Sequence, residues 1–166
     1  TVRVFSGEGS LPKVIEWDGV YDSGTLASPG LVYSYVLQAS DKAGNRRNFF
    51  GPGFEVAPYR IERDGNLQMV MSGESLIGPA AAQRPVGMDD PWLLEAASWV
   101  NQYGSAEDPI EIVVTARSHQ LAESMGQVAA EQIARHIAGP PARIRVITEA
   151  LNDAPAAGSV RIGLKG

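Results

Sequence analysis

The sequence predicts two domains: an antiparallel all-β sandwich over residues 1–58, then an α+β domain over 59–166 ordered strand, helix, strand, helix, strand, strand. Three observations predict this. Turn residues recur every few positions up to Pro58, with short β-type runs between them. Beyond Pro58, two long stretches carry apolar residues at spacings of three and four. Two alternating, strand-like runs then close the chain.

In the first half, Gly7, Gly9, Pro12, Asp18-Gly19, Asp22-Ser23-Gly24, Pro29-Gly30, Gly44-Asn45 and Gly51-Pro52-Gly53 supply turns. Asp-Gly and Gly-Asn suit turns because glycine and asparagine tolerate positive φ. Val14-Ile15-Glu16-Trp17 is the first predicted strand. Residues 31–39 form the second, with Tyr33, Tyr35 and Leu37 on one face and Val32, Ser34 and Val36 on the other. Phe54-Glu55-Val56 closes the set. Short strands at this spacing predict a sandwich without helices.

The second half opens on a hairpin, strands 59–62 and 67–71 around the tight-turn sequence Asp64-Gly65-Asn66. The Pro/Gly/Ala-rich stretch 77–87 reads as loop. A helix over 91–103 follows, with Asp90 as N-cap, Pro91 at the first helical position and Gly104 at its end. Leu93, Ala97 and Val100 make its apolar face. Strand 110–115 leads into a helix over 120–137 with the stripe Leu121, Met125, Val128, Ala129, Ile133 and Ile137. Gly139-Pro140-Pro141 stops it. Strands 143–148 and 159–165 complete the domain. The last puts Val160, Ile162 and Leu164 on one face and Arg161, Gly163 and Lys165 on the other, the pattern of a sheet covered by helices on one side.

The net charge of −5 argues against a nucleic-acid surface, which carries a basic stripe. The lack of cysteine excludes disulfides and cysteine-based zinc sites. No apolar run approaches the ~20 residues of a membrane span. Thr1-Val2-Arg3-Val4-Phe5 already alternates like a strand and carries no signal peptide, so the chain is expected to be a mature segment or fragment.

Residues 2–56 resemble a FlgD-type bacterial immunoglobulin-like module in Trp17-Asp18-Gly19, Asp22-Ser23-Gly24, Pro29-Gly30, Tyr33/Tyr35 and Asp41-Lys42-Ala43-Gly44-Asn45. The resemblance implies a sandwich with Trp17 in its core. The remainder resembles, by the order of its elements, the OmpA-like C-terminal domain, a peptidoglycan-associating module of Gram-negative envelopes. That family follows its second strand with a Gly-His-Thr-Asp-like tetrapeptide, then an Asn, then Leu-Ser-x-x-Arg-Ala. Here the matching positions are Thr115-Ala116-Arg117-Ser118, Gly126 and Ala129-Ala130-Glu131-Gln132-Ile133-Ala134. Ser118 and Ile133 stand where the family has the Asp and Arg that bind the charged ends of diaminopimelate. Serine supplies no anion and isoleucine no cation. An unpaired ligand charge costs on the order of 3–5 kcal/mol, so the resemblance implies a pocket that has lost its usual ligand.

Arg117, Ser118 and His119 at the strand-to-helix junction are the ligand-binding candidates, as an altered anion pocket at a helix N-terminus. The simpler account makes Ser118 a cap and leaves Arg117 and His119 solvated. His119 and His136 lie at opposite ends of one helix, about 25 Å apart, and cannot share a metal. Asp89-Asp90 is accounted for by capping. Phe49-Phe50 reads either as an exposed binding patch or as a sandwich edge against the next domain. No catalytic residue, metal or cofactor is predicted. The expected function is a non-enzymatic periplasmic or outer-membrane-associated segment of a Gram-negative envelope protein, an interaction and assembly scaffold with envelope-protein partners, no nucleic acid and no membrane span. One alternative is a peptidoglycan anchor with a non-standard pocket, Arg117 as contact. The other is an enzyme with an interdomain site.

Overall fold

In the computed structural model, which describes residues 1–10, 12–63 and 65–165, the strands of the first half pair as two separate ladders. β1 (Val32–Tyr33) and β2 (Val36–Ser40) are followed by β3 (Arg46–Phe50) and β4 (Phe54–Glu55). β1 pairs only with β4, and β2 only with β3, both antiparallel. The run 31–39 is thus broken at Ser34-Tyr35 instead of forming one strand. The run 14–17 joins no strand, and Val14 and Ile15 are exposed.

The expected class therefore does not hold: there is no immunoglobulin-like sandwich ahead of an OmpA-like domain, but one mixed α/β chain. A sandwich needs two sheets whose inward rows cover each other. Here β3 is exposed along its whole length, so no second sheet covers it among the described residues. The apolar side chains of the first half gather instead in a small aromatic cluster. Trp17 meets Tyr33 edge-on at 5.4 Å between ring centroids, and Tyr33 lies 5.9 Å from Phe54. Such pairs contribute about 0.5–1.5 kcal/mol each beyond their buried area. Leu26 and Ala27 are buried, and the Tyr59 hydroxyl donates to the Ala27 carbonyl at 2.6 Å. The first half thus lies against the sheet built by the second.

That sheet contains β5 (Tyr59–Arg63), β6 (Asn66–Ser72), β7 (Ile110–Ala116), β8 (Ile144–Ala150) and β9 (Ser159–Leu164), in the order β5-β6-β9-β7-β8. β7 and β8 are parallel and every other pair is antiparallel. The β5–β6 hairpin falls where the tight-turn sequence lies. Gly65 takes φ +74° there, while Asp64 of that turn lies outside the described residues. Residues 77–87, expected as loop, include part of two one-turn helices, α1 (Glu74–Ile77) and α2 (Pro79–Ala82). α3 (Pro91–Tyr103) and α4 (His119–His136) are the long helices. α4 is the crossover between β7 and β8, the connection a parallel pair requires.

One face of the sheet carries the core. Met69, Met71, Ile110, Ile112, Val114, Val160 and Ile162 meet Leu93, Ala96, Ala97 and Val100 of α3 and Ala122, Met125, Ala129 and Ile133 of α4. Burying a Leu-, Ile- or Met-sized side chain contributes about 1.5–3 kcal/mol, so this layer dominates stability. Gly126 lets α4 approach closely: a Cβ there would stand 2.6 Å from Val146 Cγ1. The other face presents Val70, Arg161, Val113 and Ile147 in one cross-strand row, and Gln68, Gly163, Glu111 and Arg145 in the next.

Candidate functional site

The strand-to-helix junction is built by β7 ending at Ala116 and α4 starting at His119. Ser118 has an extended backbone, and its Oγ accepts from Leu121 N at 3.2 Å, which satisfies one of the orphan donors of the first turn. Arg117 takes no part in the cap. Its Nε donates to the Ala154 carbonyl at 2.9 Å and ties down the segment between β8 and β9. His119 is exposed in the first turn of α4. The three neighbours are thus not gathered around one pocket: one caps, one clamps a loop, one faces solvent. Ile133 is buried in the core.

A second polar cluster ties α3 to α4. Asp90 is fully buried, and its Oδ1 accepts from Trp92 N at 2.8 Å and Leu93 N at 3.2 Å. Its Oδ2 accepts from Arg84 Nη2 at 2.6 Å, and its own N–H donates to Gln132 Oε1 at 2.7 Å. The neighbouring Asp89 binds Arg135, and its Oδ2 lies 2.6 Å from His136 Nε2. Hydrogen bonds from Arg135 first, then His136, hold the Asp89 carboxyl below the usual carboxylate range. Sequence reasoning found the Asp90 cap but not Arg84, because the partner comes from the stretch read as loop.

Two hollows lie on the face of the sheet away from the helices. The larger, about 180 Å³, is roofed by Tyr21, Leu26 and Leu31 and floored by Val70, Val113, Thr115, Ser159 and Arg161. The smaller, about 90 Å³, holds Gln68, Glu111, Gly163 and Lys165 and shares Val113 and Arg161 with the first. Lys165 Nζ lies 3.4 Å from Glu111 Oε2. Beside them, burial pushes the Tyr59 phenol up to about 12, with Tyr21 acting in the same direction and Arg161 opposing. Tyr33 is pushed up too, by burial and by its hydrogen bond with Tyr21.

The remaining feature is the β2–β3 ribbon. Phe50 is 78% and Phe49 51% exposed, with Val36 and Tyr35 exposed beside them. The exposed Lys42, Arg46 and Arg47 share the ribbon and make no ion pair among the described residues. Among the described residues no group of three or more His, Asp or Glu could hold a metal ion, and no helix is long and apolar enough to cross a membrane. Comparison with protein-family models finds no match to this chain, and comparison with curated proteins finds none either.

Proposed function

We propose that this chain is a non-enzymatic interaction module, an assembly scaffold of the cell envelope whose β2–β3 ribbon engages a protein partner. The observation that carries the reading is the ribbon itself: large apolar side chains exposed next to unpaired cations, on a two-stranded ladder with both edges open. Open edges accept an added strand through main-chain hydrogen bonds, and alternate side chains set its identity. Contiguous exposed apolar residues mark interaction surfaces. The cations favour an extended partner that alternates apolar and acidic residues. Hollows of about 180 and 90 Å³ are smaller than the roughly 300–1,000 Å³ of small-molecule sites, which also favours a scaffold over an enzyme. The envelope placement is carried over from the sequence resemblances alone and draws no support from the fold.

Photo-crosslinking from Phe50 in a Gram-negative envelope tests this. A discrete adduct with one envelope protein, lost in Phe49→Ser/Lys42→Glu while the chain stays folded, is expected. Adducts unchanged by those substitutions overturn the reading. Co-sedimentation with isolated peptidoglycan addresses the wall-anchor alternative, and wall retention that survives the ribbon substitutions would favour it.

A further inference from the structure

Most guanidinium groups among the described residues have a bound oxygen. Arg84 holds Asp90, Arg117 holds the Ala154 carbonyl, Arg135 holds Asp89, and Arg143 holds the carbonyls of Ser105 and Asp108. Arg46, Arg47, Arg145 and Arg161 have neither ion pair nor hydrogen bond there. The first three are exposed, and water satisfies them. Arg161 is the half-buried one. It stands on the central strand of the sheet, paired with Val70 on one side and Val113 on the other, and lines both hollows. A guanidinium with no partner in the chain can hold a carboxylate through paired N–H···O bonds.

The groups around it narrow the ligand. Gln68 is the diagonal cross-strand neighbour of Arg161, within reach of a long side chain. Its Oε1 is buried and accepts no hydrogen bond. Such an acceptor calls for an N–H or O–H from a ligand. Directly opposite Gln68 stands Gly163, whose missing side chain leaves the smaller hollow open: a Cβ there would come no nearer than 3.4 Å to any atom. On the other side of Arg161 the larger hollow offers the apolar surfaces of Leu26, Leu31, Val70 and Val113. The site thus presents a cation for a carboxylate, an acceptor for a neighbouring N–H and an apolar recess, with Glu111 beside the cation paired to Lys165 and Asp153 on the wall of the larger hollow.

We propose that this face of the sheet seats the C-terminal end of a peptide. The terminal carboxylate meets Arg161, the last amide N–H meets Gln68 Oε1, and the terminal apolar side chain enters the recess under Leu26 and Leu31. The proposal is independent of the ribbon and stands or falls without it.

The test is titration of the ¹⁵N-labelled chain with N-acetyl-alanyl-leucine, as the free acid and as the C-terminal amide. The free acid is expected to shift the amides of Gln68, Arg161 and Gly163 with a Kd on the order of 1 mM. The amide should bind at least about tenfold more weakly, since it loses a charge-assisted hydrogen bond. Arg161→Gln should lower affinity for the acid about tenfold with an otherwise native spectrum. Equal binding of acid and amide overturns the proposal, and so does an unaltered Kd in Arg161→Gln. Silence at about ten times the expected Kd overturns it without any variant. Acetate shifting the same resonances at the same concentration overturns the peptide assignment.

Discussion

Replacing Asp90 with Ala should remove a large part of the stability of this chain, and the structure says how much. Two losses combine. The first is the cap: Asp90 Oδ1 accepts from Trp92 N and Leu93 N, and truncating such a residue costs about 1 kcal/mol. The second is the charge. Asp90 is fully buried, and Arg84 is mostly buried with 16% of its side chain exposed. Removing one member of a buried pair costs about 3–5 kcal/mol. Arg84 Nη2 also bonds the Ser75 carbonyl at 2.6 Å, which places this loss at the lower end. Together they give about 4 kcal/mol, against a total of about 5–15 for a domain. Asp90→Asn keeps the capping oxygen and should cost about 1 kcal/mol less. Arg84→Met combined with Asp90→Asn leaves no buried charge unpaired, so it should cost less than the two single changes added. Urea unfolding with linear extrapolation measures the native chain, the three single variants and the double variant. A loss below about 1 kcal/mol in Asp90→Ala, or strict additivity of the pair, would show that the buried Arg84–Asp90 pair does not carry this stability.

Gly126→Ala gains about 1 kcal/mol of helix propensity but drives a methyl against Val146 Cγ1, an overlap that costs about 1–3 kcal/mol, so thermal unfolding should show a net loss. Adding Val146→Ala should reverse the sign, and a persistent loss would place the strain elsewhere. Arg117→Ala should cost only about 1 kcal/mol but speed hydrogen exchange of the amides from Ala154 to Gly158, because it frees the Ala154 carbonyl. The Asp89 carboxyl, held low by Arg135 and His136, contributes stability that is present above its unfolded value of about 4 and lost as pH falls through the lower folded value. The gap in Tm between the native chain and Asp89→Asn should therefore narrow on acidification below about pH 4, and a gap that stays constant would count against the pairing.

Helices and caps were legible because their signals are local. Asp90-Pro91 announces a cap and first turn that the structure repeats at Asp90 Oδ1, and Ser118 acts as the cap that a serine at that place suggests. The apolar spacing over 120–137 puts Met125, Ala129 and Ile133 on the buried face. Strand partnership is not local, and there the reading failed. Nothing in the alternation of 31–39 says that Tyr33 is buried while Tyr35 is exposed, or that the run breaks between them. A sandwich was inferred from turn spacing, but turn spacing cannot report whether a second sheet comes to cover the first. The contacts that decide the sites are equally remote in sequence. Arg117 meets a carbonyl 37 residues away, and Tyr59 meets one 32 residues away.

What distinguishes a working residue from a structural one here is whether folding has already used it. Ser118 had a functional reading from its position alone, yet its Oγ accepts from Leu121 N, and Arg117 spends its Nε–H on the Ala154 carbonyl. A group whose hydrogen-bonding capacity is filled from within the chain must break those bonds to bind anything else, at about 1 kcal/mol or more for each. Arg161, Gln68 Oε1 and the cations of the β2–β3 ribbon carry no such debt. The first two stand on adjacent paired strands of the sheet, so binding there orders no backbone. The ribbon is a two-stranded ladder, marginal alone, and a third strand would complete it. Both proposals therefore rest on groups that folding left unpaired, the one at the sheet face on charge and shape, the one at the ribbon on added backbone pairing.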